Sequence, residues 1–289
     1  MRIGERVLLA LSRPPGNEDY PANDHATVED ALHNLRMRFP DLRRLVEGRR
    51  VLDFGCGEGM QAVALAREGA GLVVGVDTNA RTLARARERA AGLGRIAERL
   101  RFHMTLPAEL RGGFDVVVSQ NAMEHFGDPE GVLREMRDAL APGGRIILTF
   151  GPPWYAPSGS HMHFFTRVPW VNLLFAERTV MAVRARFRRD GARRYEEVES
   201  GLNRMSVARF ERVVRASGLR MTRRRYECVR GLDFLRHPPL LRELFINNVS
   251  CILEPAGKPA NPPRRTGGGP DAPSSRPESH PLDPVRAGL

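Results

Sequence analysis

Val51-Leu52-Asp53-Phe54-Gly55-Cys56-Gly57-Glu58-Gly59 runs an apolar strand into a Gly-x-Gly-x-Gly turn, and the turn opens onto a helical pattern from Met60 to Glu68. Glycines at this spacing let the main chain turn sharply and let a ligand lie against it with no side chain between. The alternation continues: Leu72 to Asp77 reads as strand, Asn79 to Ala91 as helix, and Leu100 to Met104 and Phe114 to Ser119 as strands. Asp128 then supplies an N-cap with Pro129 at the first helical position, and Val132, Leu133, Met136 and Leu140 form that helix's apolar stripe. Ala141-Pro142-Gly143-Gly144 stops it, and Arg145 to Phe150 is the next strand. Strands that alternate with helices and are apolar on both faces predict an α/β fold: a doubly wound, mostly parallel sheet covered on two sides.

The flanks divide the chain further. Residues 1–27 are turn-rich and read as an irregular arm; Thr27 caps a helix from Val28 to Met37, and 1–39 is a candidate cap over the site. The ligand-binding core spans 40–150, and 151–205 is an inserted region after the fifth strand. That insert comprises a long aromatic loop to Phe165 and a basic helix predicted over Val168 to Arg189. Ser206 caps an amphipathic helix ending at Gly218, and Leu219 to Val229 and Asn248 to Leu253 are closing strands, with a short helix near Leu240 to Phe245. Residues 255–289, rich in Pro, Gly, Ser and Arg, are expected to be disordered.

Two carboxylates narrow the ligand. Asp53 stands two positions before the first glycine, where it would repel a pyrophosphate but welcome the cationic aminoacyl and sulfonium end of S-adenosylmethionine. Asp77 ends the next strand, where one acceptor group can hold both hydroxyls of a ribose; the plainer role is to cap the following helix.

Asp53 to Gly59, Gly75-Val76-Asp77, Phe114 to Ser119 followed by Met123-Glu124-His125, and Leu140 to Gly144 together resemble the successive motifs of class I S-adenosylmethionine-dependent methyltransferases. More narrowly they resemble the type-11, ubiquinone-biosynthesis-like group, over about residues 40–150. The resemblance implies a Rossmann-like seven-stranded sheet with one antiparallel strand. It also implies that Asp53, Gly55, Gly57 and Gly59 line the methionine moiety, with Asp77 at the ribose, Thr78 bordering the adenine and Ser119 on the methionyl side. Where the family often carries Gly-Asp after the third strand, this chain reads Met104-Thr105-Leu106-Pro107, so adenine contacts there stay unassigned.

Methyl transfer from a sulfonium needs positioning, and a base only where the acceptor must lose a proton. His161 and His163 in the long loop, and His125 after the fourth strand, are the candidates, with the loop favoured as the bearer of the base. His125 reads equally well as a packing residue. No metal is expected: Asn121 replaces the additional acid of the ubiquinone enzymes, and His161-x-His163 is a poor ligand pattern alone.

A formal charge of +11 raises a nucleic-acid partner, but all of the 45 basic residues except Lys258 are arginine, a skew that looks like codon bias. The chain also reads Ser119-Gln120-Asn121-Ala122 where base amino-group methyltransferases carry Asn/Asp-Pro-Pro-aromatic. Cys56, Cys228 and Cys251 form no pairable set. Apolar runs fall well short of the ~18 residues of a membrane span, and no leader pattern is visible, so a cytoplasmic location is expected. The leading expectation is methylation of a small organic acceptor, oxygen ahead of nitrogen or carbon. An RNA methyltransferase and a non-catalytic cofactor-binding protein are the alternatives.

Overall fold

The computed structural model describes residues 1–13, 27–198, 201–229 and 231–257, and Met1 to Ala256 form one compact unit. Its elements, in chain order, are α1 (Ile3–Ala10), α2 (Val28–Arg38), α3 (Leu42–Val46), β1 (Arg50–Phe54), α4 (Met60–Arg67), β2 (Leu72–Val76), α5 (Ala80–Ala91) and β3 (Leu100–His103). There follow β4 (Phe114–Gln120), α6 (Pro129–Ala139), β5 (Leu140–Phe150), α7 (Val171–Leu174), α8 (Glu177–Arg184), α9 (Val207–Ala216), β6 (Leu219–Cys228), α10 (Pro239–Phe245) and β7 (Ile246–Pro255).

The seven strands form one sheet in the order β3-β2-β1-β4-β5-β7-β6, and β7 alone runs antiparallel to its neighbours. This is the sheet the motifs implied. The chain reverses between β1 and β4, so ligands are expected outside the carboxyl ends there. On one face Val51, Val73, Val116, Val118 and Ile147 pack under α2, α4 and α5; on the other Leu52, Val74, Val117, Ile146 and Leu148 pack under α6 and α9. The caps are those the sequence offered: Thr27 accepts from the Asp30 amide, Asp128 from Gly131 and Ser206 from Arg209.

A third apolar cluster lies apart from the sheet. Leu8 of α1 joins Met162, Phe165, Val171, Val180, Met181, Val183, Tyr195 and Leu202 of the insert. We call this the cap. The N-terminal segment is thus split between two cores, since α2 packs under the sheet with α4 while α1 packs on α8.

Three local expectations change. The arm before residue 14 contains a helix, α1, because Leu8 finds an apolar partner only in the distant insert. The single helix expected over Val168 to Arg189 breaks at Phe175 into α7 and α8, and the N-cap of α7 is Trp170, held at a positive φ of 54°. Its basic residues are not all solvated: Arg184 is buried and grips Asp190 through both Nη atoms. Finally, β5 begins at Leu140, upstream of the Pro-Gly-Gly turn, with a register shift where it meets β4. The expectation for 258–289 lies outside the described residues.

Candidate active site

The glycine turn joins β1 to α4, and its three glycines have φ of 80°, 50° and 79° at Gly55, Gly57 and Gly59. They do different things. A Cβ at Gly57 would meet nothing within 4 Å, so this glycine borders open space, whereas one at Gly59 would sit 3.0 Å from Ala86 Cβ and 3.1 Å from the Phe102 ring. Gly59 therefore also serves the packing of the turn against α5 and β3. Gly55 lies between these cases, 3.5 Å from Ala122 Cβ.

Asp53 is fully buried, and burial pushes its carboxyl up to about 7, with the hydrogen bond from Gln61 opposing and the Asp77 charge adding. Gln61 Nε2 donates to Oδ1, while Oδ2 has no partner. A buried carboxylate oxygen left in this state is costly unless a ligand meets it. Asp77, half-buried at the tip of β2, accepts from the Gly57 amide at 2.9 Å through Oδ2 and from the Asn79 amide at 2.8 Å through Oδ1. It thus ties two strand tips together; Oδ1 also accepts from Thr82 Oγ1 at 3.5 Å, and Oδ2 keeps a lone pair for another donor. The helix-capping role belongs to Asn79, which accepts from Arg81. Thr78 is exposed beside it.

Side chains on a strand alternate between faces, and Asp53 is in register with Val118. Ser119 therefore points to the opposite face from Asp53, and Gln120 shares the face of Asp53. Gln120 is in register with Thr149 of β5, and Gln120 Oε1, Gln120 Nε2 and Thr149 Oγ1 are all buried without a hydrogen-bond partner, like Asp53 Oδ2. Neighbouring strands thus present a row of unsatisfied polar atoms at their carboxyl ends. Gln120 could have been found by phasing β4 from Val116 and Val118.

The turn after β4 is fixed from afar. Asn203 donates through Nδ2 to the Met123 and Phe126 carbonyls and through its amide to the Glu124 carbonyl. His125 Nδ1 lies 2.7 Å from the Gly201 carbonyl. A carbonyl only accepts, so Nδ1 carries the proton and Nε2 is the basic nitrogen. No sequence signal pointed to Gly201 or Asn203. Glu124, buried, accepts from the Gly151 amide at 3.4 Å, joining the two strand ends.

The insert brings His161 against His125, ring centroids 5.6 Å apart and nearly perpendicular. His161 holds a positive φ of 56°, and its Nε2 is buried without a partner. Burial, then the charges of His125 and His163, hold its pKa down at about 4, against the pull of the Pro152 carbonyl. His163 is exposed. The pair the fold assembles is His125 with His161, not the two loop histidines. Among the described residues no group of three or more His, Cys, Asp or Glu is placed to hold a metal ion.

A family profile described as a methyltransferase domain matches residues 45–151, from α3 through the end of β5. Residues 45–151 thus match a methyltransferase domain. Curated relatives include the ubiquinone biosynthesis O-methyltransferases of Neisseria meningitidis serogroup C, 34% identical over 132 residues, and Pseudomonas aeruginosa, 34% over 119. The matches cover 44% and 41% of this chain, and the chain spans about half the length of these relatives, 54% and 51%. Among solved structures the [4+2]-cyclase SpnF superposes with a TM-score of 0.51 at 17% identity, covering 82% of this chain and 87% of its own. That likeness shows a shared fold alone, and the fold does not choose the chemistry. No helix among the described residues is long and apolar enough to cross a membrane.

Proposed function

We propose that this chain transfers the methyl group of S-adenosylmethionine to an oxygen of a small organic acceptor in the cytoplasm, with His125 as the base. The observation that carries this is the His125–His161 pair at the carboxyl ends of β4 and β5, beside a glycine turn whose buried acid has an unsatisfied oxygen. The cofactor, when bound, supplies a methyl group already activated on sulfur. Asp53 Oδ2 suits its cationic end, Gly57 leaves the room it needs, and Asp77 offers a lone pair to the ribose. Gln120 and Thr149 extend this polar floor toward β5, on the acceptor side.

The base assignment moves from the loop to His125. A proton acceptor works best with a pKa near the working pH, and His161, held near 4, is too weak a base. It stays neutral and orients the partner ring or the acceptor, while the Gly201 carbonyl fixes the tautomer of His125. The names of the relatives favour oxygen as the acceptor atom. Nucleic acid is not favoured, because the basic stretch is partly spent internally: Arg184 on Asp190, Arg194 on Glu196 and Arg188 over the Phe164 ring.

The test is to incubate the protein with methyl-labelled cofactor and a small-molecule extract of its source cells and identify the labelled product. With that acceptor, His125→Ala should lower the rate by roughly 10²- to 10⁴-fold and His161→Ala by about tenfold, both with cofactor affinity nearly unchanged. The His125 defect should shrink for acceptors already ionised at the assay pH. A full-rate His125→Ala enzyme would refute the base; labelled RNA with no labelled metabolite would refute the acceptor class.

A further inference from the structure

The cap carries a surface that methyl transfer does not use. Helix α1 is seated by Gly4, where an added Cβ would come 3.5 Å from the Thr179 methyl of α8, and by Leu8, fully buried in the cap cluster. Its other side is apolar as well. Ile3, Val7 and Leu11, one helical turn apart, are 81%, 45% and 56% exposed, with Ala10 exposed beside them. A short helix that buries one stripe and shows a second apolar stripe to water is poorly explained by the fold of its own domain.

The exposed charges around this stripe are mostly positive. Arg2 is the N-cap of α1 and Arg6 stands on it, Arg186 reaches the Met1 sulfur, and Arg178 precedes Thr179 of α8; all four are exposed. Some arginines elsewhere are matched with acids, as in Arg36–Glu68, Arg67–Glu29, Arg85–Glu58, Arg220–Glu254 and Arg223–Asp41. These four have no carboxylate within ion-pair distance among the described residues. Glu5, the acid on the helix, is turned back onto the Arg2 amide.

We infer that α1 docks the cap on an anionic lipid surface, Ile3, Val7 and Leu11 entering the acyl boundary and the unmatched arginines meeting the headgroups. Aliphatic side chains ringed by cations fit an interface with an apolar interior and an anionic face. A nucleic acid would use the arginines and leave the aliphatic stripe in water; a second copy of this chain would bring the same positive rim against itself. Docking of this kind needs both components, since neither a short apolar stripe nor a few charges holds a protein on a bilayer alone. The inference is independent of the methyl-transfer reading.

The test is co-sedimentation of the full chain with vesicles of phosphatidylcholine alone and of equal parts phosphatidylcholine and phosphatidylglycerol. The protein should sediment with the anionic vesicles and stay in solution with the neutral ones. Combining Ile3→Glu with Val7→Glu should cut the bound fraction about tenfold, with melting temperature unchanged because both side chains are exposed. Combining Arg2→Gln, Arg6→Gln and Arg186→Gln should weaken binding and remove most of its salt dependence. No sedimentation of the wild type overturns the inference, as does full binding by the glutamate variant. Polyuridylate that binds wild type and glutamate variant alike would make this a nucleic-acid surface instead. A dimer in ultracentrifugation that the glutamate variant dissociates, with no vesicle binding, would make it a self-association surface.

Discussion

In the methyltransferase domain, the strands β1, β2, β4 and β5 bring valine, leucine and isoleucine into two apolar layers, and the polar exceptions, Asp53, Gln120 and Thr149, fall on one face at one end. In the cap, polar groups run through the interior: Arg184 is buried on Asp190, the Tyr195 hydroxyl is buried unpartnered, and Trp154 lies between the Tyr195 ring and the Arg204 guanidinium. The sheet concentrates its unsatisfied groups where a ligand goes. The cap spreads them through a small core held by side chains from distant parts of the chain. In the function proposed above, the regular scaffold would fix the cofactor, and the irregular one, free to vary without disturbing the sheet, would choose the acceptor.

The largest expected effect tests the first half of that contrast. Gly57→Val should abolish S-adenosylmethionine binding, since the space beside Gly57 is open in the protein alone and would be taken by the branched side chain. The positive φ of 50° adds backbone strain of about 1–3 kcal/mol, so circular dichroism must show the variant folded. Normal calorimetric binding by the folded variant would remove the glycine turn from the site.

Next come two aromatic truncations that separate the cores. Phe210, fully buried under the sheet with its ring 4.7 Å from Phe150, and Phe165, fully buried in the cap with its ring stacked 5.1 Å from Phe187, should each cost about 3–5 kcal/mol on replacement by Ala. Phe210→Ala should lower the melting temperature of the whole protein. Phe165→Ala should speed hydrogen exchange in the cap and lower acceptor turnover, while cofactor affinity stays within about twofold. Equal loss of cofactor binding in both would mean that sheet and cap are one cooperative unit.

The two regions also differ in how far they could be read from the chain. Strand and helix periods, the glycine turn and the caps at Thr27, Asp128 and Ser206 are local signals, and the sheet and its motifs follow from them. Orientation is less legible: the face that Ser119 takes depends on the register of β4 against β1, and only the third dimension shows Ala86 and Phe102 against Gly59. The cap is set by long-range contacts. His161, Trp170 and Arg204 hold positive φ with no glycine to announce it, and α1 is helical because Leu8 finds Phe165 and Val180 far along the chain. The histidines were legible as a set, but which two meet depended on the Gly201 carbonyl and on Asn203, neither of which carries a sequence signature.

Asp77→Ala should have a middling effect. It removes the acceptor of the Gly57 and Asn79 amides as well as the proposed ribose contact, so cofactor affinity should fall by ~1–3 kcal/mol in calorimetry. Asn79 still caps α5, so the fold should survive. Unchanged affinity would leave Asp77 a purely structural tie between β1 and β2.

The smallest effect is on pH dependence, where sheet and cap should differ in sign. Asp53 is raised from 3.8 to about 7 in the fold, chiefly by burial, so the folded state holds a proton that the unfolded state has lost across that window. Its contribution to stability is present at acid pH and lost as pH rises toward 7. His161 is lowered from 6.5 to about 4, again chiefly by burial, so its contribution is present above 6.5 and lost as pH falls toward 4. A cationic ligand beside Asp53 favours the carboxylate, so cofactor binding should expel the proton and tighten as pH rises, up to about tenfold per unit below 7, levelling above it. Calorimetry across this range in buffers of different ionisation heat measures both the slope and the proton released. Asp53→Asn should flatten the slope, with Gln61 still donating to the amide oxygen, and His161→Asn should leave it intact while removing part of the acid sensitivity of melting. If the slope survives Asp53→Asn but disappears in His161→Asn, the cofactor's cationic end faces the cap, and the division of labour between sheet and cap is reversed.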